Sequence, residues 1–257
     1  MKGINCYNPD RNKQFKIINS SIEYASKNNQ PFISVDTKKK ELVGEFKNNG
    51  KIYRKNKDPI KVFDHDFINI ASGKAIPYGI YDIKYNNGFV NIGKNKDTSK
   101  FAVNSIRKWW FKIGKYTYDD CDKLYISADA GGSNGYRSRL WKYELQKFAN
   151  EINIPIYVHH YPPGTSKYNK IEHKMFSFIS KNWSGHPLIN YKTIKNFIKN
   201  TSTISGLKID CEIDDVIYKS GLKITTKEYE SINKKKIDLK ENNNNLEKWN
   251  YIIQPNN

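Results

Sequence analysis

Cysteine is scarce in this sequence of 257 residues. Its three copies, Cys6, Cys121 and Cys211, lie far apart and form no CxxC pair. An odd number of widely spaced cysteines argues against a disulfide framework or a zinc ribbon, and it favours a reducing compartment. The sequence also lacks an apolar run of the roughly 18 residues that a membrane span requires, and Met1 leads into no signal-peptide segment. We therefore expect a cytoplasmic protein without membrane association.

Acidic residues are in the minority, with 26 Asp and Glu against 44 Lys and Arg, which gives a formal net charge of +18. This excess of positive charge favours a polyanionic partner. The sequence is also rich in Lys, Asn and Ile together, a bias that AT-rich coding would produce without any selection for charge. The charge is therefore supporting evidence only.

The length suits one large domain or two small ones, and 37% hydrophobic residues suffice for a globular core. The composition divides the chain into a polar lead-in segment (1–30), a core (31–232) and a Lys/Asn-rich tail (233–257). Apolar residues at 249–253 give the tail a means of docking onto the core.

Five apolar, β-rich runs predict buried strands, at residues 32–36, 76–83, 88–92, 124–129 and 156–161. A further short strand is predicted at 41–46, and Asn86-Asn87-Gly88 is a strong hairpin signal. Helical periodicity follows the third, fourth and fifth buried runs. This order predicts an α/β fold, specifically a ribonuclease H-like mixed sheet with helices on both faces.

The last of these helices follows Pro162-Pro163-Gly164, which ends the preceding strand abruptly. Ser166 offers a side-chain oxygen at the predicted N-cap. The apolar residues beyond it recur at helical spacing and predict one buried face: Ile171, Met175, Phe178 and Ile179. The helix before it is predicted to follow the glycine loop at 130–135, and the first helix to be capped by Asp97 or Thr98.

Three acids lie where these elements meet. Asp36 closes the first buried strand, Asp129 closes the fourth, and Glu172 begins the last helix, about 100° from its apolar stripe. In the predicted fold the two strands are neighbours and the helix packs against them, so the three carboxylates would converge at one edge.

Without a cation, three carboxylates at one edge repel one another. Oxygen ligands select Mg²⁺ or Mn²⁺, and two such ions can clamp the attacking and leaving oxygens of a phosphodiester. The alternative is that the two aspartates merely end strands and that Glu172 is an ordinary surface acid.

Four segments carry a more specific signal: ISVDTKKKE at 33–41, GKAIPYG at 73–79, DAGGSNGY at 129–136 and PPGTSKYNKIEH at 162–173. They resemble the ISAzo-type DDE transposases, also called the Rhodopirellula transposase DDE domain family. The last segment also resembles the wider proline-proline…Asn-x-Ile-Glu signature of DDE transposases of insertion elements. The resemblance covers roughly residues 7–253, with Ala130 where such proteins more often have Gly.

This resemblance implies that Asp36, Asp129 and Glu172 are the catalytic triad and that two Mg²⁺ or Mn²⁺ ions serve as cofactors. It implies DNA cleavage and strand transfer, with element ends and target DNA as partners, self-association on DNA and a place at the nucleoid. Family members usually carry an N-terminal helix-turn-helix region. This sequence begins in what resembles the linker after it, so we expect either a separately encoded helix-turn-helix part or a decayed, inactive remnant that binds nucleic acid.

Basic residues near the three acids are candidates for holding DNA phosphates. They are Lys38, Lys39, Arg137, Arg139, Lys167, Lys170 and Lys174, of which the last three are predicted to share the helix of Glu172. For each one alone, a solvated basic face is an equal alternative. Gly131 and Gly132 favour positive φ or a close approach of backbone to nucleic acid. No GK[ST] follows them, which excludes a Walker loop.

Two other patterns carry less weight. His159, His160 and His173 suggest zinc, but adjacent histidines on a strand point to opposite faces, so at most one can join His173. Asp64-His65-Asp66 is a possible second acidic site that we interpret as an ordered loop.

A ribonuclease H-type hydrolase of RNA–DNA hybrids is a rival function. That chemistry typically needs a further acid on the first core helix, and the sequence from Thr98 to Gly114 contains no Asp or Glu.

Overall fold

The computed structural model describes residues 10–55, 58–64, 68–239 and 244–256. Nine strands in these ranges form one mixed sheet: β1 (Phe32–Thr37), β2 (Glu41–Val43), β3 (Gly73–Asp82), β4 (Asn87–Gly93), β5 (Leu124–Ala128), β6 (Ile156–His160), β7 (Lys208–Asp214), β8 (Lys234–Lys236) and β9 (Asn250–Ile253). The strand order is β7-β4-β3-β1-β5-β6-β9-β8, and β2 pairs with β3 outside this path.

Eight α-helical segments surround the sheet in the described ranges: α1 (Arg11–Lys27), α2 (Ser99–Trp109), α3 (Lys115–Thr117), α4 (Arg139–Ile152), α5 (Ser177–Asn182), α6 (Tyr191–Lys199), α7 (Thr226–Glu230) and α8 (Asn244–Trp249). A π-helical turn, Trp110–Gly114, joins α2 to α3, and a second, Glu172–Phe176, leads into α5. None of the described helices is long and apolar enough to cross a membrane.

The centre of the sheet has the order β4-β3-β1-β5-β6. β3 lies antiparallel to both β1 and β4, whereas β5 runs parallel to β1 and β6 runs parallel to β5. The hairpin turns at Asn86, whose φ of 53° is the left-handed conformation that asparagine tolerates. This is the strand order of the ribonuclease H-like fold, so the predicted fold class is confirmed.

Alternating side chains along the strands bury separate apolar clusters on the two faces of the sheet. On one face, Ile33 and Phe89 pack in the cluster that contains Trp109 of α2 and Trp141 of α4. On the other, Val90 packs in the cluster that contains residues of the second π-turn, α5 and α6. Helices therefore cover both faces, as predicted.

The helices of the first face begin where their sequences place capping oxygens. The side chain of Thr98 accepts the N–H of Phe101 at 3.2 Å, and Ser138 accepts the N–H of Trp141 at 3.1 Å. Of the two predicted caps for α2, the structure therefore uses Thr98. This leaves the carboxylate of Asp97 free of capping and next to the sheet edge described below.

The segments at the two chain ends pack onto the core. Ile18 and Ala25 of α1 are buried with Phe32 and Tyr125. In the tail, β9 pairs antiparallel with β6, which confirms that residues near 249–253 dock, and β8 pairs with β9. At the opposite edge, β7 pairs parallel with β4. The division of the chain at residues 30 and 233 itself stays a prediction.

The predicted strand at 41–46 is shorter in the structure. Only Glu41–Val43 pair with β3, and Phe46 forms an isolated bridge with Phe63. Gly44 explains the break, because its φ of 152° lies in the region that favours glycine.

Candidate active site

Asp36 and Asp129 occupy matching positions on neighbouring parallel strands. Val35 of β1 is paired with Ala128 of β5, and each aspartate is the next residue of its chain. The Oδ1 atom of Asp36 accepts the N–H of Thr37 at 2.7 Å. The register therefore brings two carboxylates to one edge of the sheet, as the sequence predicts.

Burial and neighbouring negative charge make both aspartates harder to ionise. Burial, followed by the charge of Asp129, raises the pKa of Asp36 to about 8, and Glu172 and Asp97 add to this rise. Burial raises the pKa of Asp129 to about 6, although a hydrogen bond from Asn169 lowers it. Buried acids in mutual repulsion favour the binding of protons or of cations.

Asn169 joins the strands of these acids to the segment of Glu172. Its side chain is fully buried. Its Oδ1 accepts the hydroxyl of Ser34, and its Nδ2 donates to the carbonyl of Val35 at 3.3 Å and to Oδ1 of Asp129 at 3.1 Å. The Ser34 hydroxyl oxygen also accepts the N–H of Ile171 at 3.1 Å. One amide thus holds three chain segments together, a role that sequence reasoning missed although Asn169 lies in a quoted motif.

The helix of Glu172 begins later than predicted, so the predicted Ser166 N-cap is wrong. Ser166–Tyr168 form a separate 3₁₀ turn, and Asn169 follows in an extended conformation, φ −60° and ψ 126°. The hydrogen bonds of its amide hold it there. Helical structure starts only after Asn169, whose carbonyl accepts the N–H of Glu172 at 3.1 Å. Lys167 therefore does not share a helix with Glu172, which corrects that prediction.

The π-helical turn changes the buried face of this helix. Ile171, Met175 and Ile179 are buried as predicted, but Phe176 is buried and Phe178 is only half-buried. A π-turn holds an extra residue, and this rotates the following side chains around the axis.

Glu172 is close enough to the two aspartates for its charge to act on both of them. Its half-buried carboxylate raises the pKa of both Asp36 and Asp129. Burial raises the pKa of Glu172 itself, and Lys38 and His173 oppose this rise. Within the described residues, no three His, Cys, Asp or Glu side chains are already arranged to hold a metal ion.

Lys38 is buried beside Glu172, with only 6% of its surface exposed. Its ammonium lies 3.5 Å from Oε1 of Glu41 and 4.4 Å from the centre of the Trp183 ring. Burial lowers its pKa, and Glu41 opposes this shift. Lys38 therefore places a cation between Glu41 and Glu172, and its predicted contact with DNA stays a prediction.

Two open grooves adjoin the three acids. The first, of about 880 Å³, is lined by Asp36, Asp97, Asp129, the glycine loop at 130–135 and Pro162-Pro163-Gly164. The second, of about 820 Å³, is lined by Glu172, His173 and Trp183. Lys39 and Ser166 border both. Asp36 and Asp129 thus open into the first groove, whereas Glu172 opens into the second.

Asp97 is an acid of this site that the sequence analysis considered only as a helix cap. It accepts the hydroxyl of Thr37 at 3.2 Å and forms an ion pair with Lys40 at 3.1 Å. Its position just before α2 was a usable signal, because α2 packs against β3, the strand paired with β1.

The remaining predicted phosphate-binding residues fall into two groups. Arg137 lines the first groove and Lys167 the second, and both are exposed, as is Lys39. By contrast, Arg139 lies 4.7 Å from the centre of the Tyr229 ring. Lys170 and Lys174 line a separate hollow of about 440 Å³ beside α1.

The histidines of β6 point to opposite sides of the sheet, as predicted. His159 stacks with Phe32, whereas His160 stacks with Tyr251. Burial lowers the pKa of His159 to about 4 and that of His160 to about 3. His173 is exposed, and its Nε2 contacts the carbonyl of Lys167. In the possible second acidic site, His65 and Asp66 lie outside the described residues.

The glycine loop shows the predicted positive φ at Gly132, 72°, whereas Gly131 is extended. A ribonuclease H-like sheet with two adjoining aspartates at its edge and a third acid nearby is the arrangement typical of DDE-type domains. The chain belongs to the family described as Rhodopirellula transposase DDE domain, whose model matches residues 4–255.

Two solved structures are similar to the chain. The Mos1 transposase paired-end complex with left transposon end has 12% identity and a TM-score of 0.46. The Mos1 mariner paired-end complex with Mn has 10% identity and a TM-score of 0.43. In both cases the match covers 77% of this chain and 57% of the other, so the chain spans little more than half the length of those proteins. A search of curated proteins found no match.

Proposed function

We propose that this domain is the catalytic core of an insertion-element transposase that cuts DNA at element ends and joins the freed 3′-hydroxyl to target DNA. One observation carries the proposal: the pairing of Val35 with Ala128 places Asp36 and Asp129 side by side. The raised pKa values of both aspartates support a site adapted to cations. Family membership supports the choice of DNA as substrate.

The donor set fits two Mg²⁺ or Mn²⁺ ions, because hard cations prefer carboxylate oxygens. Asp36 and Asp129 would hold the ions, and Glu172 would complete the set. When bound, such ions polarise the phosphodiester and stabilise the attacking and leaving oxygens. Asn169 keeps one oxygen of Asp129 occupied by a hydrogen bond, which orients its carboxylate. Lys39 and Arg137 would bind the incoming DNA backbone in the first groove.

The proposal includes self-association on DNA, because joining two element ends to a target requires two active sites. It also includes a helix-turn-helix partner that recognises the element ends, and action at nucleoid DNA in the cytoplasm. These parts rest on the family's mode of action.

The test is cleavage of a DNA duplex that carries the element end, in the presence of Mg²⁺ or Mn²⁺, with a helix-turn-helix partner where the element encodes one. We expect nicking by the native protein and none by the Asp129→Asn or Glu172→Gln variants. Asp119→Asn changes an exposed acid outside both grooves and serves as the matched control. Nicking that persists in Asp129→Asn would refute the assignment.

Two other outcomes would favour other functions. Salt-dependent DNA retention without cleavage and without Mn²⁺ binding would identify an inactive nucleic-acid-binding remnant. Cleavage of an RNA–DNA hybrid in preference to duplex DNA would identify a ribonuclease H-type hydrolase.

A further inference from the structure

Two adjacent side chains of the glycine loop are buried without a hydrogen-bond partner. Ser133 is 9% exposed and Asn134 is 1% exposed. Neither the Ser133 hydroxyl nor the Asn134 Nδ2 finds a partner among the described residues. Both residues line the first groove together with Asp36 and Asp129. Buried polar groups are paired in most native structures, so two orphans side by side in a groove point to a ligand.

The loop holds these two side chains in place. Gly132, at φ 72°, begins the short 3₁₀ turn Gly132–Asn134. The carbonyl of Ser133 accepts the hydroxyl of Ser99 at 2.5 Å, and that hydroxyl lies 3.0 Å from the hydroxyl of Ser138. Because Ser99 is the first residue of α2 and Ser138 caps α4, the loop is fixed to the starts of two core helices.

The unpaired atoms define the chemistry of the ligand. The N–H groups of Asn134 donate, and the hydroxyl of Ser133 is free to donate, so the complementary group presents oxygen acceptors. The same groove contains the cations of Lys39 and Arg137, which favour an anion. A phosphodiester meets both requirements, since each of its non-bridging oxygens accepts hydrogen bonds.

We infer that Ser133 and Asn134 form a subsite that binds one backbone phosphate of the DNA strand entering the first groove beside Asp129. The inference rests on the proposed function in taking DNA as the polyanion. Both donors are neutral. The subsite therefore positions the strand by hydrogen bonds, whereas charged residues such as Lys39 attract DNA through its counterions.

This difference gives the subsite a signature. Loss of a lysine that contacts phosphate lowers the dependence of DNA affinity on salt concentration. Loss of Asn134 removes a hydrogen bond but no charge, so affinity falls while the salt slope stays the same. If Asn134 had only a structural role, its replacement would change neither the affinity nor the salt slope through the contact with any single phosphate.

The experiment measures DNA binding by fluorescence anisotropy in Ca²⁺, with duplexes that contain the DNA flanking the coding region. Each duplex of a series carries one neutral methylphosphonate in place of one phosphate. We expect Asn134→Ala to weaken binding to native DNA roughly 10-fold, as for one lost hydrogen bond to a charged group. We also expect that, at one position of the series, the methylphosphonate weakens DNA binding by the native protein but not by Asn134→Ala.

Ser133→Ala should show the same loss at the same phosphate, and Asn196→Ala, which changes an exposed asparagine of α6, should show none. Melting temperatures confirm folding, and Asn134→Ser replaces Asn134→Ala if the alanine variant does not fold. The inference is overturned if both loop variants bind within twofold of the native protein and keep its full methylphosphonate profile.

The outcomes separate this inference from the proposed function. Native protein that cuts element ends while Asn134→Ala keeps the native profile retains the function and overturns the subsite. If both loop variants lose the effect of a methylphosphonate at the same phosphate but the native protein cuts no DNA, the subsite is supported and the proposed catalysis is contradicted.

Discussion

The side-chain amide of Asn169 donates a hydrogen bond to Oδ1 of Asp129 over 3.1 Å, and the backbone carbonyl of the same asparagine accepts the N–H of Glu172. Two of the three acids are thus connected through one buried residue. The network continues through Ser34 to β1, the strand that contains Asp36. The geometry of the site therefore depends on a neutral side chain that performs no chemistry itself.

We expect Asn169→Ala to lower the free energy of unfolding by about 2–4 kcal/mol, because it leaves several buried groups without partners. Loss of the donor should also raise the pKa of Asp129 and weaken metal binding. Urea unfolding measures the first effect and Mn²⁺ titration the second. In a double-mutant cycle with Ser34→Ala, the double variant should lose less unfolding free energy than the sum of the two single variants, by at least about 0.5 kcal/mol. Additive losses would contradict a shared network.

Asp36 should destabilise the metal-free protein at neutral pH. Its pKa is raised to about 8 in the folded state, mainly by burial and by Asp129, from 3.8. The folded state therefore keeps a proton that the unfolded chain releases above pH 4. As a result, stability should fall as the pH rises from about 4 to about 8, and then level off.

Asp36→Asn removes this acid and should stabilise the metal-free protein at pH 7 by as much as about 4 kcal/mol. The measurement is the melting temperature in EDTA between pH 5 and pH 9. The same variant should lose the stabilisation that Mg²⁺ or Mn²⁺ gives the native protein. A variant that melts below the native protein in EDTA at pH 7 would contradict this account.

The positions of Asp36 and Asp129 were predictable because each follows a short apolar run, and the pairing of parallel strands then fixes a common edge. The position of Glu172 was predictable only approximately. A serine before an apolar helical pattern is a common N-cap signal. Here, however, the start of the helix is determined by contacts of Asn169 with Val35 and Ser34, which lie 134 and 135 positions earlier in the sequence. No local pattern contains that information.

Lys38 shows the same limit. In the sequence it belongs to a run of three lysines that is typical of an exposed turn. In the structure Trp183 and Glu41 bury it, and the tryptophan, which directly follows α5, is distant in sequence. In the tail, the apolar residues at 249–253 predicted docking, but not that Asn250–Ile253 would pair with β6 as a strand of the sheet.

His159 should contribute to acid sensitivity. Burial lowers its pKa to about 4 in the folded state. Unfolding lets the imidazole take up a proton below about pH 6.5, so the stability due to the neutral ring is lost as the pH falls from about 6.5 to about 4. We expect His159→Gln to reduce the slope of unfolding free energy against pH by about 1.4 kcal/mol per unit between pH 4.5 and pH 6. Urea unfolding at each pH measures this slope. Above pH 7 the slopes of the two proteins should agree, and equal slopes at acid pH would contradict the prediction.

The two groups of basic residues should differ in their contribution to DNA binding. Lys39, Arg137 and Lys167 are exposed at the grooves beside the acids. A residue that neutralises one phosphate releases about one counterion, so alanine at any of these three positions should reduce the slope of log Kd against log salt by about 1. Salt titrations of duplex binding measure it.

Lys170→Ala and Lys174→Ala provide the matched comparison, because these lysines lie on the same segment as Glu172 but line a hollow beside α1. If DNA follows the two grooves, their slopes should match that of the native protein. A reduced slope for these two lysines, with none for Lys39 or Arg137, would mean that DNA crosses the surface near α1. The acids would then lie off its path, because they open into the two grooves and not into the hollow at α1.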